Sequence, residues 1–295
     1  MRLHLSACPP FSLWAVVESH GWVYLPPFAA DAQTRTLTRV ERLENGRVIE
    51  LFISEAGDGV TVTAREPLNG PEREEVSRKV WWMLGLGEDL RPFYELARGE
   101  PALAHVEAQA LGRLLRCPTF FEDLVKTILT TNTTWAGTVR MVSALTSRLG
   151  DPLPTDPSRN AFPTAAQIAR AGEDALQAMG LGYRTSALAA LARQVADGAL
   201  DLESMKDNNR SSADIYHRLR QIKGVGEYAA AMALMLLGCY DYLPVDAWAR
   251  KLVARQWHGD QPVGPRQVEA AFARWGRWKA LAYWFWEWEE ETSAV

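Results

Sequence analysis

The residues whose types and spacing could do chemistry lie between positions 219 and 246. Leu219-Arg220-Gln221-Ile222-Lys223-Gly224-Val225-Gly226-Glu227-Tyr228 runs into an apolar stretch of Ala, Met and Leu, and Leu243-Pro244-Val245-Asp246 follows. Gly224 and Gly226 allow positive φ between two helices and predict bare backbone N–H groups on Val225 to Tyr228 at a helix N-terminus. Such a surface, with Lys223 and Glu227 at its edge, binds phosphate without reading base sequence. Leu219, Ile222 and Val225 would pack two helices into a hairpin over about residues 213–238, although a Gly-x-Gly turn also suits an ordinary helix connection. Asp246 precedes a good helix pattern, Ala247-Trp248-Ala249-Arg250-Lys251-Leu252, and suits an N-cap. The two uses are compatible, because a carboxylate at a helix start can also face a pocket. Together the stretches read as a DNA-binding hairpin aimed at one catalytic carboxylate.

The elements that must position these residues form an α+β chain. Val48-Ile49-Glu50-Leu51-Phe52-Ile53, Val60-Thr61-Val62-Thr63 and Trp22-Val23-Tyr24-Leu25 alternate like strands, broken by Glu44-Asn45-Gly46 and Ala56-Gly57-Asp58-Gly59, and predict an antiparallel sheet within residues 1–98. From Pro71 to Ala97 the pattern turns helical, with Val76, Val80, Met83 and Leu84 on one stripe. Residues 99–295 read as a helical body, interrupted most clearly at Asp151-Pro152-Leu153-Pro154-Thr155 and again from Lys206 to Ser212. A chain of 295 residues that is 47% apolar exceeds what one core usually holds, so two or three subdomains are expected.

The longest apolar stretch, Ala229 to Gly238, is too short to cross a bilayer, and no basic segment followed by an apolar run opens the chain. A soluble, cytoplasmic, nucleoid-associated protein is expected. Cys8, Cys117 and Cys239 are scattered, which suits a reducing compartment, and the five histidines are dispersed, so no metal site is indicated. The net charge of −4 argues against a dedicated nucleic-acid binder. Its distribution softens that: residues 108–255 hold 17 Lys and Arg against 14 Asp and Glu, a balance of +3, which leaves −7 elsewhere.

On the hairpin and the Leu243-Pro244-Val245-Asp246 segment, the chain resembles the helix-hairpin-helix (HhH-GPD) superfamily of base-excision DNA glycosylases. The resemblance runs from about residue 115 to 290. Phe120 to Trp135 looks like the helix leading to the residue inserted into DNA, and Gly180-Leu181-Gly182-Tyr183-Arg184 like the second insertion loop of 8-oxoguanine glycosylases. Arg274-Trp275-Gly276-Arg277-Trp278-Lys279-Ala280 and the aromatic segment after it resemble the bacterial 3-methyladenine glycosylases. The resemblance implies that Asp246 supplies the negative charge beside an oxocarbenium-like sugar and a base for water. It implies that Asn132 plugs the gap left by a flipped base, Tyr183 wedges against the opposite strand, and Arg184 contacts the unpaired base or a phosphate. Read locally, Asn132 is a turn or cap residue and Gly180–Arg184 a helix C-cap with Gly182 left-handed.

Family members that also nick the strand use a Lys at the second position after the hairpin's last glycine to form a Schiff base; here Tyr228 stands there, implying base removal by activated water. Phe11, Trp14, Tyr228, Tyr283 and Trp286 are candidate pocket walls for an electron-poor alkylated base, although an aromatic stripe at helical spacing also suits core packing. Glu287 falls where relatives stack an aromatic, and reads as a hydrogen-bonding pocket residue, a slip of register onto Trp286 or Trp288, or a surface side chain. No cysteine follows Cys239, so the four-cysteine iron–sulfur cluster of some members is not expected; a monovalent cation at the hairpin on DNA binding is the one ion the resemblance allows. The expected partner is double-stranded DNA carrying a damaged base, met by a monomer away from membranes. The leading expectation is a monofunctional glycosylase for alkylated purines. The alternatives are an 8-oxoguanine-type enzyme with or without lyase activity and, in another class, a non-catalytic damaged-DNA-binding protein.

Overall fold

The computed structural model describes residues 2–207 and 210–288. Strands β1 (Arg2–Ser6), β2 (Phe28–Asp31), β3 (Thr36–Arg42), β4 (Val48–Ala56) and β5 (Gly59–Ala64) form an antiparallel sheet in the order β1-β5-β4-β3-β2, with α1 (Leu13–Val17) lying between β1 and β2 in the chain. The expected run Trp22–Leu25 is not a strand: Gly21–Tyr24 is a 3₁₀ turn. The Trp22 indole N–H there donates to Asp123 Oδ1 at 2.8 Å, and this buried bond outweighs the period-2 alternation of the run.

Helices α2 (Gly70–Met83) and α3 (Arg91–Ala97) lead from the sheet into the helical body. There follow α4 (Phe120–Thr130), α5 (Trp135–Leu149), a small hairpin of β6 (Pro152–Leu153) and β7 (Asp156–Asn160), α6 (Ala165–Ala178) and α7 (Thr185–Ala196). Then come α8 (Ser212–Arg220), α9 (Glu227–Leu236), α10 (Ala247–His258), α11 (Pro265–Phe272) and α12 (Lys279–Trp284). The architecture is the expected α+β, a sheet followed by a helical body. No helix among the described residues is long and apolar enough to cross a membrane.

α4 and α9 pack together at the centre. Every residue of α4 from Phe120 to Leu129 and every residue of α9 from Ala229 to Leu236 is buried, and the alanines of α9 permit close approach. One apolar core runs from Leu13 to Trp286, so the sheet and the helical body share it. A buried ion network ties the two layers. Arg39 of β3 grips both oxygens of Glu122 on α4, at 3.1 and 2.6 Å, and pairs with Glu41 at 2.7 Å. Lys126 pairs with Glu122 at 2.8 Å one turn along α4, and Lys79 of α2 with Glu41 at 2.7 Å.

Candidate active site and DNA-facing hairpin

The hairpin forms as its apolar positions predict. Leu219, Ile222 and Val225 are buried between α8 and α9, and Gly224 turns the chain at φ +88°. A Cβ on Gly224 would also stand 2.6 Å from the Ala187 Cβ of α7, so glycine is required there for both conformation and space. Contrary to the sequence expectation, the Val225 N–H is not bare: it donates to Ile222 O at 3.0 Å and closes the turn. The exposed phosphate-type surface therefore begins one residue later: Gly226 is the N-cap of α9, and no side chain caps the helix's first N–H groups. Lys223, Gly226 and Glu227 are exposed around it, and Glu227 lies 4.0 Å from Arg220.

Asp246 caps α10. Its Oδ1 accepts from the Ala249 N–H at 2.7 Å, and the residue is exposed, leaving Oδ2 for other partners. Tyr228, half-buried in the first turn of α9, and Tyr283, buried on α12, both feel its charge. Burial first and the Asp246 carboxylate second push the Tyr228 phenol up to about 12; the same two causes, with Tyr228 as a third, push Tyr283 up as well. Both rings therefore stay protonated, and can donate hydrogen bonds, across the neutral range. Tyr228 and Tyr283, far apart in the chain, thus both lie within range of the Asp246 charge. Trp248, two residues past Asp246, is 56% exposed on the same helix start, and nothing in its local sequence singled it out.

The two loops assigned to DNA insertion also meet. α4 ends at Thr130 with Thr131 as its C-cap, and Asn132 beyond it is exposed with a left-handed φ of 45°. Tyr183, in the 3₁₀ turn Gly182–Arg184, is 64% exposed; its hydroxyl donates to Thr131 O at 3.3 Å. Arg184 corrects its sequence assignment: it is buried, and its guanidinium donates to the main-chain oxygens of Thr131 and Asn132 rather than projecting toward a base or phosphate.

Several proposed pocket walls lie elsewhere. Trp286 is 7% exposed and packs in an aromatic cluster with Trp257, Phe272 and Trp288, the last two of which Tyr283, equally buried, also touches. Glu287 is exposed, and its backbone N–H donates to Ala102 O at 2.9 Å, matching the surface alternative. Phe11 lies 5.7 Å beneath the Arg113 guanidinium. Trp14 lines a cleft of about 460 Å³ with Trp284 and Phe285, and neither Asp246 nor Tyr228 is on that wall. A cavity of about 620 Å³ opens at the far end of the hairpin, among Trp82, Arg116, Tyr240 and Trp278, and Asp246 is not part of it either. Lys126, a conceivable nucleophile, is fully buried against Glu122 and the Phe28 ring. Lys251 of α10 places its ammonium over the Trp248 ring at 5.4 Å. Among the described residues no cluster of His, Cys, Asp or Glu could hold a metal ion.

The HhH-GPD family, described as HhH-GPD superfamily base excision DNA repair protein, matches residues 125–277, more than half of the chain. A DNA-3-methyladenine glycosylase of Bacillus subtilis (strain 168) is 25% identical over 209 residues. That alignment covers 70% of this chain and 65% of the relative, so the chain spans just under two thirds of that protein's length. The solved 3-methyladenine DNA glycosylase from Archaeoglobus fulgidus superposes with a TM-score of 0.76 at 22% identity, over 97% of each chain. The 8-oxoguanine glycosylase/lyase of Clostridium acetobutylicum in its apo-form superposes at 0.73 with 19% identity, over 93% of this chain and 91% of that one. Both share the fold through the sheet and the helical body.

Proposed function

Since the chain belongs to the HhH-GPD superfamily of base excision DNA repair proteins, we propose that it is a monofunctional DNA glycosylase that flips a damaged base from duplex DNA and hydrolyses its N-glycosidic bond. Tyr228 carries the monofunctional reading. It occupies the place where a Schiff-base lysine would stand, beside Asp246, and its phenol remains protonated at neutral pH.

In this reading the hairpin holds the DNA backbone through Lys223 and the first N–H groups of α9, while Asn132 and Tyr183 fill the space vacated by the base. The Asp246 carboxylate faces the sugar as positive charge develops at C1′. The base leaves with the electrons of the C–N bond, water adds to C1′, and the water's proton passes to Asp246. An alkylated purine is the leading substrate, because a base already carrying positive charge departs neutral without needing an acid. Tyr228 and Tyr283 would then offer it electron-rich faces. The four-cysteine cluster of some family members is beyond a chain with three cysteines, and the proposed hydrolysis uses no redox group.

The test is a set of duplex oligonucleotides, each with one lesion, among them an alkylated purine, 8-oxoguanine opposite cytosine, uracil and hypoxanthine, analysed with and without hot alkali. Breaks that need alkali, strongest for the alkylated purine, are expected. Breaks without alkali would overturn the reading of Tyr228, and no breaks on any lesion would favour a damaged-DNA-binding protein.

A further inference from the structure

We propose that Arg184 is a positioning residue that clamps the Asn132 turn to the Tyr183 loop, so that both inserting side chains enter DNA as one preformed wedge. The inference rests on the glycosylase reading above, and it gives Arg184 a different task from the contact with DNA that the resemblance implied.

The two loops lie about fifty residues apart in sequence and would be independent without a link. Asn132 holds a left-handed backbone, a conformation that costs a non-glycine residue energy unless its surroundings fix it. Arg184 supplies that fixing. Its Nη2 donates to Thr131 O and, at 3.1 Å, to Asn132 O, the two carbonyls that follow the end of α4. Nη1 lies 3.9 Å from the Met141 sulfur of α5. The guanidinium is covered by the Tyr183 ring, with its carbon 4.4 Å from the ring centroid. The Tyr183 hydroxyl reaches back to Thr131 as a second tie. Arg184 is 6% exposed while Tyr183 is 64% exposed and Asn132 is exposed, so the tie lies inside and both inserting groups point out. Charge-assisted hydrogen bonds from a buried guanidinium are stronger than neutral ones. A wedge ordered before contact loses no loop entropy on insertion, which favours base flipping from a stacked duplex. A single strand has no stack to open, so the same contacts should matter far less there.

Arg184→Met removes the donors and keeps an apolar stem, Arg184→Lys retains one cation within reach of the carbonyls, and Tyr183→Phe removes only the outer tie. Each is compared with the unaltered protein in single-turnover excision of the preferred lesion, placed in a duplex and in the same strand alone. Thermal unfolding checks each fold. A 2-aminopurine beside an abasic site in a duplex reports unstacking without turnover. The expected result is a duplex rate for Arg184→Met reduced by about tenfold more than its single-strand rate, with a weaker 2-aminopurine signal. Arg184→Lys should recover most of the loss, and Tyr183→Phe should fall between. Equal losses on both substrates, or none on either, would overturn the clamp. If Arg184→Met does not fold, an unchanged duplex rate in Tyr183→Phe and Arg184→Lys together would overturn it. Should the unaltered protein release no base at all, the glycosylase reading fails, and the 2-aminopurine signal alone still decides the clamp.

Discussion

Under the proposed reaction Asp246 has a catalytic task besides its helix cap, and replacing it by Asn or by Ala pulls the two apart. Its Oδ1 accepts the Ala249 N–H at 2.7 Å and caps α10. Asn caps a helix about as well as Asp, so Asp246→Asn should leave stability within a few tenths of a kcal/mol, whereas Asp246→Ala should cost about 1 kcal/mol and lower Tm by about 2 °C. The charge has a different magnitude. A carboxylate about 4 Å from a cationic sugar at an effective dielectric near 20 gains about 4 kcal/mol, which is a factor of about a thousand in rate. Both variants should therefore lose about a thousandfold in single-turnover excision. Duplex affinity should hold or rise in both, because a negative charge has been removed near phosphates. The assay is excision with enzyme in excess, paired with a binding isotherm and a melting curve on the same preparations. An Asp246→Asn protein within tenfold of the unaltered rate would refute the electrostatic role and leave only the cap.

The remaining predictions use other parts of the site and its scaffold. Tyr228→Lys, placed beside Asp246, should yield a borohydride-trapped DNA adduct and strand breaks without alkali; no adduct by gel would mean that position alone does not suffice. Gly224→Ala should destabilise the fold by about 2 kcal/mol in denaturant melts, because a left-handed alanine would also meet Ala187 of α7, and should weaken duplex binding. Lys223→Ala should reduce the slope of log affinity against log salt by about 1, uniformly across DNA sequences. The His20 ring is pushed down from its usual 6.5 to about 4, mainly by burial. Between those values the unfolded chain takes up a proton that the native protein refuses, so this contribution is whole above pH 6.5 and is lost as pH falls toward 4. Discounted because the residue as a whole is only partly buried, it amounts to about 2 kcal/mol, and His20→Gln should flatten the difference in denaturation midpoint between pH 7 and pH 4.5.

The hairpin was legible because its determinants are local. Gly224 fixes the turn, although Gly226, expected to share its positive φ, sits at φ −80°; Leu219, Ile222 and Val225 show one apolar face, and a capping carboxylate follows at the start of α10. The sheet was legible for the same reason in β4 and β5, where alternation and turn residues agree. Trp22 misled because its neighbours alternate in hydropathy, while the deciding bond is to Asp123, a hundred residues away. Arg184 misled for a related reason: its partners are main-chain oxygens, which carry no signature in side-chain identity. Among the C-terminal aromatics, Tyr283 and Trp286 both pack against Phe272, and it is Tyr283 that feels the charge of Asp246, a proximity that local sequence does not carry.

The charged network between β3 and α4 has a consequence for how this protein can be divided. Arg39 sits on the sheet, whereas Glu122 and Lys126 lie in a helix with no exposed face. A gene fragment starting at residue 99 would encode the hairpin and Asp246, but it would strip Arg39 from Glu122, leaving Lys126 as its cation, and would uncover the α4 face that the sheet covers. The sheet, which contributes no residue to the Asp246 cluster, is thus a structural counterion for the helical body, and a minimal excision fragment would need it supplied, in cis or as a separate chain.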